Sequence, residues 1–454
     1  MEPTSQSSST GDPRPTRYRW WVLALIFVIY VIAAADRANI GIVLPHLKTE
    51  FALSNTEAGA IISLFFLAYA GGQLPAAFLV KRFGVRRVLP TAMILTSVAT
   101  ALHGLVGSVL ALKACRLMLG AAEAPIASAC LTSINNWFPV REKGTAAGLF
   151  MAAAKFGPVI VPPLGAVIIL SFGWQYIFFL FAIPGLILPW IWIRFVTDRA
   201  GDSRYVNEAE ARLVDQRPAE SAPARPARPQ GFTERTWLDR VIRSQAVVPI
   251  TTSRGAFLSW NIWGVSLAYF LFVGTMNVIL AWVPTYLTEV KKFSLVGAGF
   301  VASAPFVGAV AGNMAGGWIS DRLLGGRRKP LMLFSCVATV VMMYALRSAP
   351  NDPFALAALF GLTGLLLSLG FSLYGIFPSG LTDRSTFPIV TSILNTCGQL
   401  GGAAMPFLTG IILDEYSWDE VFLALAVSAF LALCLLVTII EPRGVVAEPR
   451  LSPA

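Results

Sequence analysis

Residues 20–44 read WWVLALIFVIYVIAAADRANIGIVL, an apolar stretch with Asp36 and Arg37 side by side inside it. About 25 residues of this character cross a bilayer as one tilted helix. The triplet Ala33-Ala34-Ala35 imitates a signal-peptidase site, but apolar sequence continues through Ile40-Gly41-Ile42-Val43-Leu44. The segment is therefore expected to remain as a first membrane helix. An ionisable side chain at the centre of such a helix costs roughly 2.5–3.5 kcal/mol on insertion scales. Two together mark either a place where ions or anionic solutes cross or a structural ion pair at a helix crossing.

The whole chain carries the same message. Of its 454 residues 56% are hydrophobic and only 13% charged, and the mean hydropathy is +0.66, far from the roughly one-quarter charged residues of soluble domains. The formal charge of +10 comes from basic residues gathered in short loops between apolar runs, which is how membrane topology is set. A lipid bilayer is the expected partner and a nucleic acid is not. Cys115, Cys130, Cys336, Cys397 and Cys434 fall singly in hydrophobic segments, and His46 and His103 lie far apart. Neither a disulfide nor a metal site is expected, and the thiols read as small hydrophobes. No phosphate-binding loop is visible, so neither ATP coupling nor another cofactor is expected.

Hydropathy and turn residues predict an all-α membrane protein with twelve transmembrane helices. The expected spans are 20–45, 56–80, 87–108, 109–136, 144–170 and 173–196, then 256–287, 294–320, 329–348, 352–382, 386–414 and 418–440. They divide the chain into an N-terminal tail (1–19), a six-helix bundle (20–196), a linker (197–255), a second six-helix bundle (256–440) and a C-terminal tail (441–454). Within the linker, Glu208–Val214 is expected as a short surface helix, and the run Arg225-Pro226-Ala227-Arg228-Pro229 as a mobile connector. Basic residues gather at Arg14, Arg17 and Arg19, at Lys81, Arg82, Arg86 and Arg87, at Arg141 and Lys143, in the linker, and at Arg322, Arg327, Arg328 and Lys329. With twelve spans these share one side, while Glu50, Glu57, Asp414, Glu415, Asp419 and Glu420 fall on the other. The positive-inside rule then puts both termini and the linker in the cytoplasm, with the chain in the inner, plasma membrane.

The two sets of six repeat one another. A shift of about 240 positions pairs Pro45 with Pro284, Lys81-Arg82 with Asp321-Arg322, Pro163 with Pro406, Trp174 with Trp418, and Phe178 with Phe422. Parallel duplication of this kind implies two pseudo-symmetric bundles with a solute site between them near the membrane midplane, a transporter architecture.

Charge is distributed unevenly between the repeats. Arg116 and Glu123 are seven apart, two helical turns, so they share a face that should point into the bundle. Lys155 lies among Ala152-Ala153-Ala154 and Phe156-Gly157-Pro158. With Asp36 and Arg37 these are five ionisable groups in the first half. The repeat equivalents of Asp36 and Arg37 are Thr275 and Met276, so the second half is expected to contribute polar groups, through Tyr374, Asn395 and Gln399. With both acids ionised the site carries plus one, and with both protonated plus three. A protonated site attracts an organic anion, and after the anion leaves, the cations favour ionised carboxylates and release the protons. Asp36 and Glu123 are thus candidate proton carriers, and Arg37, Arg116 and Lys155 candidate carboxylate clamps. Structural ion pairing remains the other reading of each.

Further residues resemble the major facilitator superfamily. Gly317-Trp318-Ile319-Ser320-Asp321-Arg322 with Gly325-Gly326-Arg327-Arg328 is similar to its signature between spans eight and nine, and Ala77–Arg87 to the first-half copy. The resemblance implies a conformational latch at Lys81, Arg82, Asp321 and Arg322, with Lys81 standing where the family usually has Asp. More narrowly, Asp36-Arg37-Ala38-Asn39-Ile40, Arg116 with Glu123-Ala124-Pro125, Trp137-Phe138-Pro139 and Trp282-Val283-Pro284-Thr285-Tyr286-Leu287 resemble the anion:cation symporter family, which includes bacterial sugar-acid and organic-acid carriers and sialin-like carriers of animals. It implies a substrate contact at Tyr69. Ala34 stands where sugar-acid carriers tend to offer an aromatic hydroxyl, and Lys155 where they often have an uncharged polar residue. Both departures leave room for a less hydroxylated substrate such as an aromatic or short aliphatic carboxylate or a diacid.

The expectation is a monomeric secondary transporter, not an enzyme, importing an organic carboxylate with protons by alternating access. A proton-coupled exporter of small organic compounds or drugs is the alternative. A membrane-embedded enzyme lacks any accompanying catalytic motif, and a non-transporting receptor would have no need of both acids.

Overall fold

Backbone groups in a bilayer find no water, so long apolar segments must satisfy them internally, as helices do. The computed structural model describes residues 15–139, 142–215, 242–383 and 386–445, and among them twelve helical spans are long and apolar enough to cross a membrane. The first six are α1 (Tyr18–Glu50), α2 (Asn55–Phe83), α3 (Val85–His103), α4 (Val109–Trp137), α5 (Lys143–Phe172) and α6 (Gln175–Phe195). A surface helix α7 (Glu208–Asp215), strand β1 (Ser244–Val247) and the short α8 (Ser253–Leu258) follow. The second six spans comprise α9 (Trp260–Glu289), α10 (Leu295–Trp318), α11 (Lys329–Leu346), the pair α12 (Pro353–Ser368) and α13 (Phe371–Ile376), α14 (Phe387–Glu415) and α15 (Trp418–Thr438). Strand β2 (Glu441–Val445) ends the described chain and pairs in parallel with β1, Ser244 opposite Glu441. Arg14, Arg141 and the Arg225–Pro229 run lie outside the described residues.

Several boundaries differ from the hydropathy reading for local reasons. The third span ends at His103, because the chain turns at Gly104 and Ser108 then caps α4 by accepting from the Ala111 N–H. The eighth continues past Trp318 as a π-helical turn, Ile319–Leu323. The tenth is broken: α12 stops at Ser368, Gly370 packs with its bare Cα face on Ser335, and α13 runs into a 3-10 turn, Phe377–Gly380. The two strands leave no hydropathy signal, since each is short and its partner lies far along the chain.

The halves match in detail. Trp174 and Phe178 pack at 6.2 Å between ring centroids, as do Trp418 and Phe422. Asp198, beyond the sixth span, accepts from the Arg86 N–H at the start of α3, and Glu441, beyond the twelfth, accepts from the Arg328 and Lys329 N–H groups at the start of α11. In each half a carboxylate thus satisfies otherwise orphaned helix-terminal donors.

The halves meet at the end of the bundle opposite the chain termini. A Cβ on Gly41 of α1 would stand 2.6 Å from the Leu280 carbonyl oxygen of α9, one on Gly59 of α2 2.6 Å from that of Pro406 in α14, and one on Gly299 of α10 2.6 Å from that of Pro162 in α5. Lys48 pairs with Glu289 at 2.7 Å, and the Asn55 and Thr56 N–H groups donate to Asp414. At the terminus end, the hydrogen bonds of Asp198, Glu210 and Glu441 each stay within one half, and Asn395 of α14 is exposed. The seam is therefore closed at the far end and open at the terminus end.

There α7 is fastened to the first half. Its Glu210 is fully buried and accepts from the Thr16 hydroxyl, the Tyr18 and Arg19 N–H groups and the Arg19 guanidinium, which also pairs with Glu142.

Two outcomes follow from this packing. A Cβ at Gly364 would meet the Pro305 carbonyl oxygen at 1.8 Å, whereas one at Gly148 meets nothing within 4 Å. Gly364→Ala should cost about 1–3 kcal/mol by overpacking and lower the thermal midpoint in detergent, while Gly148→Ala should leave it unchanged or raise it. Burial opposes ionisation of Glu210, but the hydrogen bonds from Thr16, Arg19 and Tyr18 outweigh it and hold its carboxyl below the ordinary 4.5. A depressed folded-state value makes its contribution fully present above the unfolded value and lost as pH falls through the folded one. Hydrogen exchange over 208–215 should stay protected at neutral pH and open on acidification below that range, and Glu210→Gln should open it at neutral pH.

Candidate functional site

Positions along four helices define the depth of the site. On α1, Arg37 lies one turn on the terminus side of Gly41, where α1 touches α9. On α2, Tyr69 lies three residues beyond Phe66, which packs on Gly402 of α14. Gln399 and Asn395 lie one and two turns beyond Gly402, and Lys155 two turns beyond Pro162 on α5. These residues thus ring the open side of the closed seam, near the middle of their helices.

The central contact is an ion pair across α1 and α4. Arg37 Nε donates to Glu123 Oε1 at 2.6 Å, with the arginine side chain 18% exposed and the glutamate fully buried. The guanidinium lies 4.8 Å from the Tyr69 ring centroid and 5.9 Å from that of Tyr30. Among the described residues Glu123 Oε2 has no hydrogen-bond partner. One carboxylate oxygen therefore holds the cation while the other is free to accept a proton.

Asp36 does not pair with its neighbour. Successive helical residues point in different directions, so Arg37 reaches Glu123 while Asp36, also buried, lies 3.4 Å from the Asn39 amide one turn on. The reading of Asp36 and Arg37 as a mutual ion pair is corrected accordingly. Arg116 and Glu123 both face inward, but two turns separate them by about 10 Å along the axis, and no ion pair joins them. Arg116 donates from Nε to the Ile61 carbonyl at 3.2 Å, lies 5.0 Å from the Phe65 ring centroid, and keeps Nη1 without a partner. It is within electrostatic reach of Asp36. Arg37 with Glu123 is thus the direct pair, and Arg116 lies within electrostatic reach of both Glu123 and Asp36.

The remaining expected residues are placed as follows. Lys155 is half-buried, with Nζ 4.4 Å from the ring centroid of Phe371, the first residue of α13 in the other half. Tyr374 is 1% exposed, its hydroxyl 3.9 Å from Cys336 Sγ and its ring packed on Tyr269 and Phe272. Asn395 is exposed and Gln399 half-buried on one face of α14. Lys81, Arg82 and Arg322 are exposed at the terminus end, and Asp321 pairs with Arg328 of its own half at 2.6 Å.

Three site residues escaped the sequence reading. Tyr30 precedes Arg37 by seven residues and Asn39 follows Asp36 by three, so helical periodicity alone could have found both. Phe371 carried no such signal, because it reaches Lys155 only through the break at Leu369-Gly370.

A family model described as Major Facilitator Superfamily matches residues 26–323 and 265–453. The chain is 28% identical to the probable galactarate/D-glucarate transporter GudP of Bacillus subtilis (strain 168), covering 95% of this chain and 94% of that protein. It is 26% identical to the D-galactonate transporter of Escherichia coli O6:H1, over 89% and 91% of the two chains, and 26% identical to the probable sulfoacetate transporter SauU of Cupriavidus necator, over 89% and 90%. Among solved structures, a bacterial homologue of the human lysosomal transporter Spinster, inward-facing and unoccupied, superposes with a TM-score of 0.72 at 16% identity over 92% of this chain and 96% of that one. A D-xylose-proton symporter gives 0.71 at 16%, over 94% and 99%.

Removing one member of a buried ion pair leaves an uncompensated charge, at a cost of about 3–5 kcal/mol, whereas replacing both by apolar groups is often neutral. Arg37→Met should therefore lower the thermal midpoint in detergent more than Arg37→Met combined with Glu123→Leu. Equal losses would show that the two side chains act separately.

Proposed function

The chain belongs to the Major Facilitator Superfamily, and on that premise we propose that it imports a small organic carboxylate together with protons across the inner membrane by alternating access. The observation that carries this reading is the Arg37–Glu123 pair with its free carboxylate oxygen. While Glu123 is ionised it occupies the arginine. Protonation cancels its charge and frees the guanidinium, which can take a substrate carboxylate through two parallel charge-assisted hydrogen bonds. The proton thereby creates the anion site, and each ligand favours the binding of the other.

Asp36 serves as the second proton carrier, balanced by Arg116 and held by Asn39. Tyr69 positions the Arg37 plane from below, Lys155 offers a further cation, and Asn395 and Gln399 supply neutral hydrogen bonds from the opposite half. Tyr374 backs this wall in the present conformation. Because the basic loops lie at the terminus end, the positive-inside rule assigns that end, and both chain termini, to the cytoplasm. The state described is then inward-open. Rocking of the halves would open the Lys48–Glu289 and Asp414 contacts and bring together the loops bearing Lys81, Arg82, Asp321 and Arg322. The names of the relatives, which carry sugar acids and a sulfonated acid, favour an organic anion as cargo.

The purified protein in proteoliposomes should accumulate an organic acid when the outside is acidified and alkalinise the outer medium on acid addition. Asp36→Asn and Glu123→Gln should abolish pH-driven accumulation by at least about tenfold while leaving a folded protein, and Glu123→Gln should retain exchange of labelled for unlabelled substrate. Accumulation unchanged in both variants would sink the proton-carrier assignment.

A further inference from the structure

Lys155 is the one cation of the cluster left without a compensating group. Glu123 neutralises Arg37, and Asp36 stands within electrostatic reach of Arg116. Among the described residues, Lys155 Nζ makes neither a hydrogen bond nor an ion pair, and its contact is the Phe371 ring at 4.4 Å. A cation over an aromatic face gains about 0.5–2 kcal/mol, less than the roughly 2.5–3.5 kcal/mol that a charge costs in the middle of a membrane helix. In structural terms the lysine is under-satisfied, and a ligand that brings its own negative charge would correct this.

The position of Lys155 points that charge at the substrate. Gly157 of α5 lies so close to α1 that a Cβ on it would stand 2.5 Å from the Ala35 nitrogen and 2.7 Å from the Ala34 carbonyl carbon. Lys155 and Arg37 therefore project from two helices in contact, about one helical turn apart in depth, and feel each other's charge. Ala34 keeps α1 slim at this crossing, and Phe371, its ring packed near Tyr269 and Phe272, meets Lys155 from the second half.

We propose that Lys155 is a specificity residue that selects small organic dianions, its ammonium taking one acidic group while Arg37 holds the other. This rests on the organic-anion reading above and deepens it. Charge balance supports the choice. With both acids ionised, Arg37, Arg116 and Lys155 against Asp36 and Glu123 leave plus one; a proton on Glu123 makes it plus two, which a dianion neutralises, and a second on Asp36 makes it plus three, which a dianion brings nearer to neutral than a monoanion does. Closing the bundle around a neutral site avoids moving an uncompensated charge through the low-dielectric interior. Binding of the second acid would also draw Lys155 away from Phe371, a contact between the halves that lies deeper than the far-end seam.

The test uses three matched pairs of probes, D-glucarate with D-gluconate, phthalate with benzoate, and sulfoacetate with acetate, binding being measured on the purified protein at mildly acidic pH. The wild type should bind the dianion of at least one pair at least about tenfold tighter than its monoanion, the gain of one charge-assisted contact. Lys155→Gln should erase that preference to within about twofold by weakening the dianion far more than the monoanion, and Lys155→Arg, which keeps the charge, should restore most of it. A preference that survives Lys155→Gln, or equal weakening of both members of the pair, overturns the proposal. Tight binding of monoanions with no dianion preference in the wild type overturns it too, and leaves organic-acid transport standing. Binding of none of the six by a folded protein overturns both.

Discussion

Charge buried where water is scarce is the constraint on which this molecule turns. Arg37 and Glu123 are each costly alone in the middle of a membrane protein and tolerable together, so α1 and α4 are held in register by a 2.6 Å contact. That same contact is readily broken by one proton. The asymmetry of the repeats sharpens this, because Thr275 and Met276 occupy the equivalent places on α9 and Thr275 merely donates back to the Leu271 carbonyl. The cluster of Asp36, Arg37, Arg116, Glu123 and Lys155 lies in the first half, and the second supplies the aromatic rest for Lys155.

Glycine and carboxylates do the remaining architectural work, at opposite ends. At the far end, Gly41, Gly59, Gly299 and Gly410 allow backbones of the two halves to touch, and close contact of small residues is what joins membrane helices that gain nothing from expelling lipid. At the terminus end, Asp198, Glu210 and Glu441 each satisfy helix-terminal N–H groups within one half. Each bundle is thereby fastened to itself where the halves must separate, and to its partner through apolar contacts plus a few ionic ones where the state is closed. Rigid halves with a separable seam are what alternating access requires.

Much of this was written in the sequence, and for a physical reason: a bilayer admits few backbone solutions, so hydropathy alone predicts spans, and the cost of intramembrane charge flags Asp36, Arg37, Arg116, Glu123 and Lys155 before any contact is known. Duplication was equally legible from Pro45 and Pro284 or Trp174 and Trp418, since helix packing reuses the same landmarks in each half. What pairs with what was not legible. Neighbours in sequence suggested Asp36 with Arg37, and a shared helix face suggested Arg116 with Glu123, yet the one direct ion pair of the cluster joins Arg37 to Glu123 across α1 and α4.

Lys155 marks the boundary most clearly. Its presence among alanines on an apolar helix was enough to make it a candidate, because residue type and surroundings are properties of the chain. Its lack of an acid partner among the described residues and its rest on Phe371 depend on the break after Ser368 and on the contact of Gly157 with α1. The sequence by itself determined the membrane class, the twelve spans, the repeat and the set of buried charges, through hydropathy and periodicity. Only the tertiary structure decided which charges cancel and which is left over, because electrostatic energy in a low-dielectric interior falls with distance between groups that the chain order does not bring together.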